Sequence, residues 1–248
     1  MELLKKIFKW FIAIFCFLII WEIISIWLNN IFFPTPIKVF LALFELFKSG
    51  IIFYHILASL KRTLIGFSFA LVIASLLGYI VGSSKLLKTY FTPILELLRP
   101  IPPIAWIPLA ILWFGIGDAS SSFIIFIAAF FPIFTNVYFG VTSIPNFYYR
   151  ISKNYNLGKF KEFTNITFPY TLPYLITGSK TSLGFGWMAV IAAEMIAGNY
   201  GLGYFLEVNR SLLKTEYVIS TMIIIGVIGF LLNKILNYAE IKATAYRN

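Results

Sequence analysis

The sequence is poor in the residues that carry most enzyme chemistry. Its 248 residues include one cysteine, Cys16, one histidine, His55, and one aspartate, Asp118. A single cysteine excludes an intrachain disulfide, and together with a single histidine it excludes the zinc sites that need several such residues. A catalytic aspartate pair, as in intramembrane aspartyl proteases, is excluded as well. We therefore expect a chain that is not an enzyme and has no metal and no cofactor.

Charged residues are also scarce. They make up 12% of the chain, 20 Lys and Arg against 10 Asp and Glu, whereas 60% of the residues are hydrophobic and the mean hydropathy is +0.87. A soluble domain has about 25% charged residues. This composition excludes a soluble domain and a nucleic-acid-binding protein, and it predicts a surface that mostly faces the lipid bilayer. The sequence contains no phosphate-binding loop of the G-x-x-x-x-G-K-[ST] type, so any ATP that drives it binds another chain.

Six apolar segments are long enough to cross a membrane, since a bilayer core takes about 20 apolar residues per helix. They are residues 10–28, 56–82, 90–114, 121–143, 171–197 and 217–238. The sequence thus predicts an all-α polytopic membrane protein with six transmembrane helices. We expect residues 1–54 to contain the first helix and an outer amphipathic segment, which alternatively is a buried packing helix. Residues 55–248 would form a five-helix core.

The basic residues predict the orientation. With the N-terminus inside, the cytoplasmic pieces carry twelve Lys and Arg residues and the outer pieces at most six. By the positive-inside rule, both termini are cytoplasmic. Lys61 and Arg62 are counted here as charges at the outer start of the second span. His55 is expected at an outer interface, and Asp118 in an outer turn or at the start of the fourth span.

The second span carries a small residue at every fourth position. These residues are Ala70, Ala74, Gly78 and Gly82. Such a stripe lets a second helix approach closely, so we expect tight packing inside the protein at this face.

Five of the eleven prolines lie in the third segment. A regular helix cannot continue through residues 100–103, where three of them are clustered. One interpretation is a discontinuous helix beside a transport pathway, because broken backbone at membrane depth must be buried or face a watery cavity. The other is a loop at the membrane edge that joins an interfacial piece to a shorter span.

The fifth segment contains charged residues. Lys180, Trp187 and Glu194 are seven residues apart and share one helix face. Because a charge at mid-membrane normally faces the protein interior or water, this face would line a cavity that meets a polar or anionic substrate. The alternative is structural pairing of Lys180 with Glu96 or Glu22.

The largest cytoplasmic piece is expected at about residues 144–170. It is basic, yet aromatic and aliphatic residues recur through it, and Gly158 lies near its middle. A helix–turn–helix with Gly158 at the turn would present an apolar face to a partner. An ordinary cytosolic hairpin is the alternative.

Residues 98–117, LRPIPPIAWIPLAILWFGIG, resemble the signature of one family of membrane proteins. These are the permease subunits of binding-protein-dependent ABC importers of the nitrate, sulfonate and taurine type. Further similar motifs follow in register at residues 34–36, 59–67, 172–178, 192–195 and 201–203. The resemblance extends over residues 34–242 and implies the fold of a type I ABC-importer permease.

The resemblance also implies a mechanism and partners. Two permease chains pair in the cytoplasmic (inner) membrane of a prokaryote, cytoplasmic ATPase subunits drive them, and an extracytoplasmic solute-binding protein delivers a small anion such as nitrate, a sulfonate or taurine. With the break and the charged face, the expected translocation pathway is Arg99, Pro102, Pro103, Trp106, Lys180, Trp187 and Glu194. The alternative is an ATP-independent carrier or channel that uses Lys180 and Glu194.

In this family the cytoplasmic loop docks on the ATPase through Glu-Ala-Ala, a glycine four residues after the second alanine, and a later Leu-Pro. The glycine and the Leu-Pro are matched here, but residues 152–154 are Ser-Lys-Asn. Phe185 stands where the family often has arginine. The expected coupling residues are Ile151, Ser152, Tyr155, Leu157, Gly158, Phe160, Phe163, Leu172 and Pro173.

Overall fold

A computed structural model of the chain describes residues 2–244, with side chains for residue 8 and residues 12–238. Within this part the structure consists of helices and connecting turns, with no strand, as the sequence predicted. The helices are α1 (Glu2–Leu28), α2 (Pro36–Ser49), α3 (Ile51–Ser83), α4 (Lys85–Leu98), α5 (Ile107–Phe114), α6 (Asp118–Thr142), α7 (Asn146–Asn154), α8 (Lys159–Glu162), α9 (Phe168–Ala197), α10 (Leu202–Ser211) and α11 (Thr215–Thr244). A 3-10 turn, Pro103–Trp106, precedes α5, and a π-helical turn, Phe163–Thr167, precedes α9.

Three described helices are unbroken, apolar and long enough to cross a membrane. They are Ile51–Ser83, Asp118–Thr142 and the Thr215–Tyr238 part of α11. Two further candidates are bent pairs: Lys85–Leu98 with Pro103–Phe114, at 91°, and Lys159–Ala197 with Leu202–Ser211, at 49°. The described apolar stretch of α1, Ile12–Leu28, is shorter. Three to five crossings therefore meet the criteria of length and composition, and the six spans with both termini inside stay a prediction.

Helices α3, α6 and α9 form the centre of the fold, with α6 packed along both of the others. The small-residue stripe of α3 is at this contact, as predicted. Ala70 and Ala74 are completely buried, and a Cβ atom on Gly78 would lie 2.9 Å from Val137 Cβ on α6. Because lipid is as apolar as these side chains, close van der Waals packing of this kind is what holds such helices together.

Helix α2 begins where the sequence predicted an amphipathic segment. Thr35 caps it, its hydroxyl accepting a hydrogen bond from the Lys38 N–H, and Pro36 occupies the first turn, where no N–H is needed. Its buried residues are Val39, Ala42 and Leu46. That face packs on α3 and α11, while the opposite face leaves Phe40 exposed, so the segment is both amphipathic and a packing helix.

The proline cluster breaks the chain as predicted. Helix α4 ends at Leu98, Pro102 is extended with φ −64° and ψ 140°, and helical structure resumes only at Pro103. After the 91° bend, Pro103–Phe114 packs on α6 and α9 instead of continuing along the axis of α4.

Candidate functional site

A cavity of about 480 Å³ lies at the proline break. Its walls come from residues 99–104 and from α6 and α9, and it is called here the proline-break cavity. Arg99 is the one charged side chain among the described residues that line it. The predicted pathway residues Arg99, Pro102 and Pro103 are therefore brought together at one cavity. Trp106 lies outside the lining and packs against the apolar cluster between α5, α6 and α9.

A second cavity, of about 510 Å³, lies between α9 and α11. Lys180 and Trp187 line it, and its lining shares Thr181 and Met188 with the proline-break cavity. Helix α9 thus carries an exposed ridge with one cavity on each side, and we call this feature the α9 ridge. It consists of Thr181, Gly184, Phe185 and Met188.

The structure separates the three residues predicted to share a face of α9. Lys180 and Trp187 line the second cavity, and the Trp187 indole N–H donates to the carbonyl of Ile225 on α11, 3.1 Å away. Glu194 lines neither of these two cavities and is 0% exposed. Trp187 lies beside the second cavity, whereas Glu194 is enclosed by Ser59, Arg62 and Gly203, so shared spacing does not give these residues shared surroundings.

Glu194 is held by an ion pair that we did not predict. Its Oε1 accepts from Arg62 Nη1 at 2.6 Å, its Oε2 accepts from the Gly203 N–H at 3.0 Å, and the Ser59 hydroxyl lies 2.8 and 2.9 Å from the two oxygens. Arg62, expected at the outer start of a span, is only 1% exposed. A buried charge is costly unless it is paired and hydrogen-bonded, and both conditions are met here.

Asp118 and Tyr200 complete the arrangement around Arg62. Asp118 begins α6, as predicted, and its Oδ1 accepts from Arg62 Nε at 2.7 Å, while its Oδ2 accepts from the Tyr200 hydroxyl at 2.7 Å. The Tyr200 carbonyl accepts from Arg62 Nη1, and its ring centre is 4.3 Å from the guanidinium carbon. Unlike Glu194, the Asp118 side chain is 42% exposed. We call Ser59, Arg62, Asp118, Glu194 and Tyr200 the Arg62 cluster.

A glycine-rich turn closes over Glu194. Gly201 has φ +114°, which favours glycine, and a Cβ atom there would clash with the Glu194 carboxyl carbon. A Cβ atom on Gly203 would clash with the carbonyl oxygen of Ile191. His55 Nδ1 lies 3.0 Å from the carbonyl oxygen and 3.1 Å from the nitrogen of Gly201. The structure buries His55, which we expected at an interface.

Residues 144–170, called here the coupling segment, form the predicted helix–turn–helix. Helix α7 ends in a Schellman motif: Asn156 is left-handed at φ 49°, and the Leu157 N–H donates to the Ser152 carbonyl at 2.9 Å. Gly158, predicted at the turn, follows it in an extended conformation with φ −64°, and nothing lies within 4 Å of a Cβ atom built on it. Asn156 therefore makes the sharp reversal, and Gly158 needs no glycine-only conformation.

The coupling segment has an exposed aromatic side. Tyr155 is 77% and Phe160 79% exposed. The inner side is anchored, because Phe163 packs edge-on against Tyr79 of α3 with ring centres 5.2 Å apart. Burial against this inner side raises the pKa of the half-buried Tyr149 phenol.

The remaining predicted coupling residues occupy different surroundings. Ser152 is buried, and its hydroxyl donates to Glu162 Oε2 at 2.5 Å, which ties α7 to α8. Ile151 and Leu157 flank the α7 end, and Leu172 and Pro173 lie half-buried in the early turns of α9.

The family model of the binding-protein-dependent transport system inner membrane component matches residues 70–240. The chain belongs to this family. It is 37% identical over 235 residues to an ABC transporter permease protein of Methanocaldococcus jannaschii, covering 92% of this chain and 88% of that protein. It is 35% identical to the nitrate import permease protein NrtB of a Synechocystis species, with coverages of 95% and 88%. It is 31% identical to the taurine transport system permease protein TauC of Escherichia coli, with coverages of 86% and 79%.

A solved structure supports the fold. The chain superposes on an inward-facing conformation of the MetNI methionine ABC transporter with a TM-score of 0.67. The match covers 79% of this chain and 97% of that chain at 18% identity. The predicted fold class, an all-α permease of the ABC-importer type, is thereby confirmed.

The structure gives a physical account of one family-like motif and of one departure from the family pattern. The Gly-Leu-Gly of residues 201–203 lies where the turn enters α10, and its two glycines leave room for Glu194 and the α9 backbone. Phe185, at the position where this family of permeases often has arginine, belongs to the α9 ridge and faces the proline-break cavity. In this permease that stretch of the cavity wall is therefore aromatic and uncharged.

Proposed function

We propose that this chain is the pathway-forming subunit of an ATP-driven importer of small anionic solutes of the nitrate, sulfonate and taurine type. The names of its relatives, a nitrate import permease and a taurine permease, support this solute class. In this proposal the chain is not catalytic. ATP is hydrolysed on partner ATPase subunits, and an extracytoplasmic binding protein supplies the solute. Two copies pair in the cytoplasmic membrane of a prokaryote.

The exposed aromatic side of the coupling segment carries the proposal. Tyr155 and Phe160 lie on either side of the turn, and within the described chain they are among the most exposed aromatic residues. An exposed apolar patch with a basic surround marks a protein interface, and this segment lies where the family docks its ATPase. The buried Ser152–Glu162 hydrogen bond holds the two short helices together, which lets the segment move as one body when an ATPase subunit moves.

The pathway is proposed along the α9 ridge. Arg99, Pro102 and Pro103 line the cavity on one side of the ridge, and Lys180 with Trp187 lines the cavity on the other. Both cavities place one cationic residue beside apolar walls, which suits an anion. We assign Trp106 to the packing behind the first cavity.

Glu194 takes a structural role in this proposal. The alternative of an ATP-independent carrier needs Glu194 as a coupling group, but its carboxylate is occupied by Arg62, Ser59 and Gly203. The carrier alternative would then have Lys180 as its one remaining coupling group of the two predicted.

Co-purification tests the proposal. The tagged chain is solubilised in mild detergent with its genomic neighbours expressed, and the ATPase content and ATP hydrolysis of the purified material are measured. An ATPase subunit in an amount equal to the chain is expected, and Tyr155→Ala with Phe160→Ala should reduce it at least tenfold. Tyr90→Ala, which removes an exposed aromatic side chain on α4, should not reduce it. Purification without an ATPase, together with uptake in ATP-free vesicles, would overturn the proposal in favour of a self-sufficient carrier.

A further inference from the structure

We propose that the proline-break cavity accepts an organic anion with an apolar group, such as an alkyl or aryl sulfonate or carboxylate, and discriminates against bare inorganic oxyanions such as nitrate. The inference rests on the proposed function and narrows its solute class. It follows from two properties of the cavity: the few charged groups and hydrogen-bond donors that could bind an anion, and the apolar walls that could contact a hydrocarbon group.

The cavity offers the anion a single charged group. Arg99 is exposed at its rim and is the one ionised side chain among the described lining residues. A guanidinium binds a sulfonate or carboxylate through two parallel hydrogen bonds, so one arginine suffices for the head of an organic anion. The hydroxyl of Thr181, also in the lining, already donates to the Thr177 carbonyl at 3.0 Å.

The backbone at the break adds almost no hydrogen-bond donors. Anion-binding loops work by pointing successive N–H groups at the ligand. Between residues 100 and 105, however, three residues are prolines without an N–H, and the N–H groups of Ile101 and Ala105 are bonded to the Leu98 and Pro102 carbonyls. The six residues 100–105 therefore leave one N–H, that of Ile104.

The remaining walls are hydrocarbon, aromatic rings and a thioether. Phe131, Phe185 and Met188 face the cavity along with aliphatic side chains. Nitrate bound at Arg99 would gain the guanidinium contact but would leave these apolar walls uncovered, so it would lack the hydrophobic contribution to binding. A cavity of about 480 Å³ lies within the size range of organic-ligand sites, and an alkyl or aryl group would fill it while the charged head stays at Arg99.

Equilibrium binding to the purified permease–ATPase complex, without the solute-binding protein, tests the inference. Leaving out the binding protein removes its selectivity, so the cavity alone decides the result. Hexanesulfonate is expected to bind at least tenfold more tightly than nitrate, with methanesulfonate between them. Arg99→Gln should weaken hexanesulfonate binding at least tenfold, and Arg99→Lys less. Phe185→Ala should weaken hexanesulfonate binding and leave methanesulfonate unchanged.

Matched controls make each outcome decisive. Arg210→Gln makes the same chemical change on an exposed arginine of α10 and should leave binding unchanged. Nitrate binding as tight as hexanesulfonate, or hexanol binding as tight as hexanesulfonate, would overturn the inference, as would binding indifferent to Arg99→Gln. Anionic lipid retained by the native chain and lost in Arg99→Gln, with no hexanesulfonate binding, would assign the cavity to lipid. The assay runs equally on the permease alone, so a missing ATPase defeats the proposed function without deciding this inference.

Discussion

The Arg62 cluster buries charged side chains, whereas the coupling segment exposes aromatic ones. In the cluster, Arg62 and Glu194 lie in the interior, and they pair with groups of α3, α6, α9 and the turn at residues 198–201. In the coupling segment, aromatic side chains point away from the chain and find no cover within its described part, as Tyr155 and Phe160 show.

The difference shows which interactions belong to the folded chain and which await another protein. A buried ion pair fixes the relative position of the elements that supply it. Removing one partner leaves the other charge buried and uncompensated, which is strongly destabilising. An exposed apolar patch contributes little to the stability of its own chain but much to an interface. Mutations in the two regions should therefore separate stability from assembly.

The largest effect is expected when Arg62 is removed. Arg62→Met leaves Glu194 buried without its cation, so the free energy of unfolding should fall by about 3–5 kcal/mol. Unfolding of the purified chain in mixed micelles by a titrated denaturing detergent measures it. Lys61→Met, the exposed neighbour, is the control and should stay within about 0.5 kcal/mol. Equal stability of the two variants would contradict a stabilising role for the cluster.

A comparison of two glycines sharpens the contrast between the regions. Gly201→Ala places a Cβ atom against the Glu194 carboxylate at a positive φ, and should cost about 2–3 kcal/mol of unfolding free energy. Gly158→Ala meets no neighbour in an extended conformation, and should change stability by less than about 0.5 kcal/mol. The same unfolding assay checks both. A larger loss of unfolding free energy for Gly158→Ala than for Gly201→Ala would contradict the assignment of a constrained backbone to Gly201.

The exposed partner of Arg62, Asp118, should contribute less to the free energy of unfolding than the buried partner, Glu194. Asp118→Asn keeps the size of the side chain but removes a charge that is 42% exposed and therefore partly screened by solvent. We expect a loss of about 1 kcal/mol in the unfolding assay. Glu96→Gln, an exposed carboxylate on α4, should have no measurable effect. A loss as large as that of Arg62→Met would make Asp118 the main partner of Arg62 and would contradict the assignment to Glu194.

The smallest effect on stability is expected in the coupling segment. Phe160→Ala removes a ring that is already exposed, so the free energy of unfolding should change by less than about 0.5 kcal/mol, even where ATPase binding is lost. Phe134→Ala, the same change at a buried position of α6, should cost about 3–5 kcal/mol. A loss above about 1 kcal/mol for Phe160→Ala would show that this chain itself covers the ring.

Local patterns predicted much of the fold. The four-residue spacing of Ala70, Ala74 and Gly78 gave the α3–α6 contact, and the clustered prolines gave the break after α4. The helix–turn–helix of the coupling segment followed from its composition, although the turn residue is Asn156 and not Gly158. The first two patterns express steric limits, the third the recurrence of apolar residues, and all act over short stretches of sequence.

The site was predicted less completely. Arg99, Pro102 and Pro103 do meet at one cavity. Glu194 does not line it and instead pairs with Arg62, which lies 132 positions earlier in the chain. One signal was available: Arg62 is flanked by an apolar run long enough to span a membrane, and a charge there needs a partner. Which of the ten acidic residues would supply it was beyond any spacing rule.

By itself the sequence determined that this is a membrane protein, that its backbone breaks at the prolines, and that it has a single cysteine, histidine and aspartate. Composition and local sterics suffice for those conclusions. Only the tertiary structure decided that Arg62 pairs with Glu194 and Asp118, and that Arg99 is the one charged side chain lining the proline-break cavity within the described chain. Both facts depend on which side chains, distant in the sequence, meet in the folded chain. For the Arg62 cluster the physical reason is that an unpaired charge in the low-dielectric interior is unfavourable, which favours the helix arrangement that pairs it.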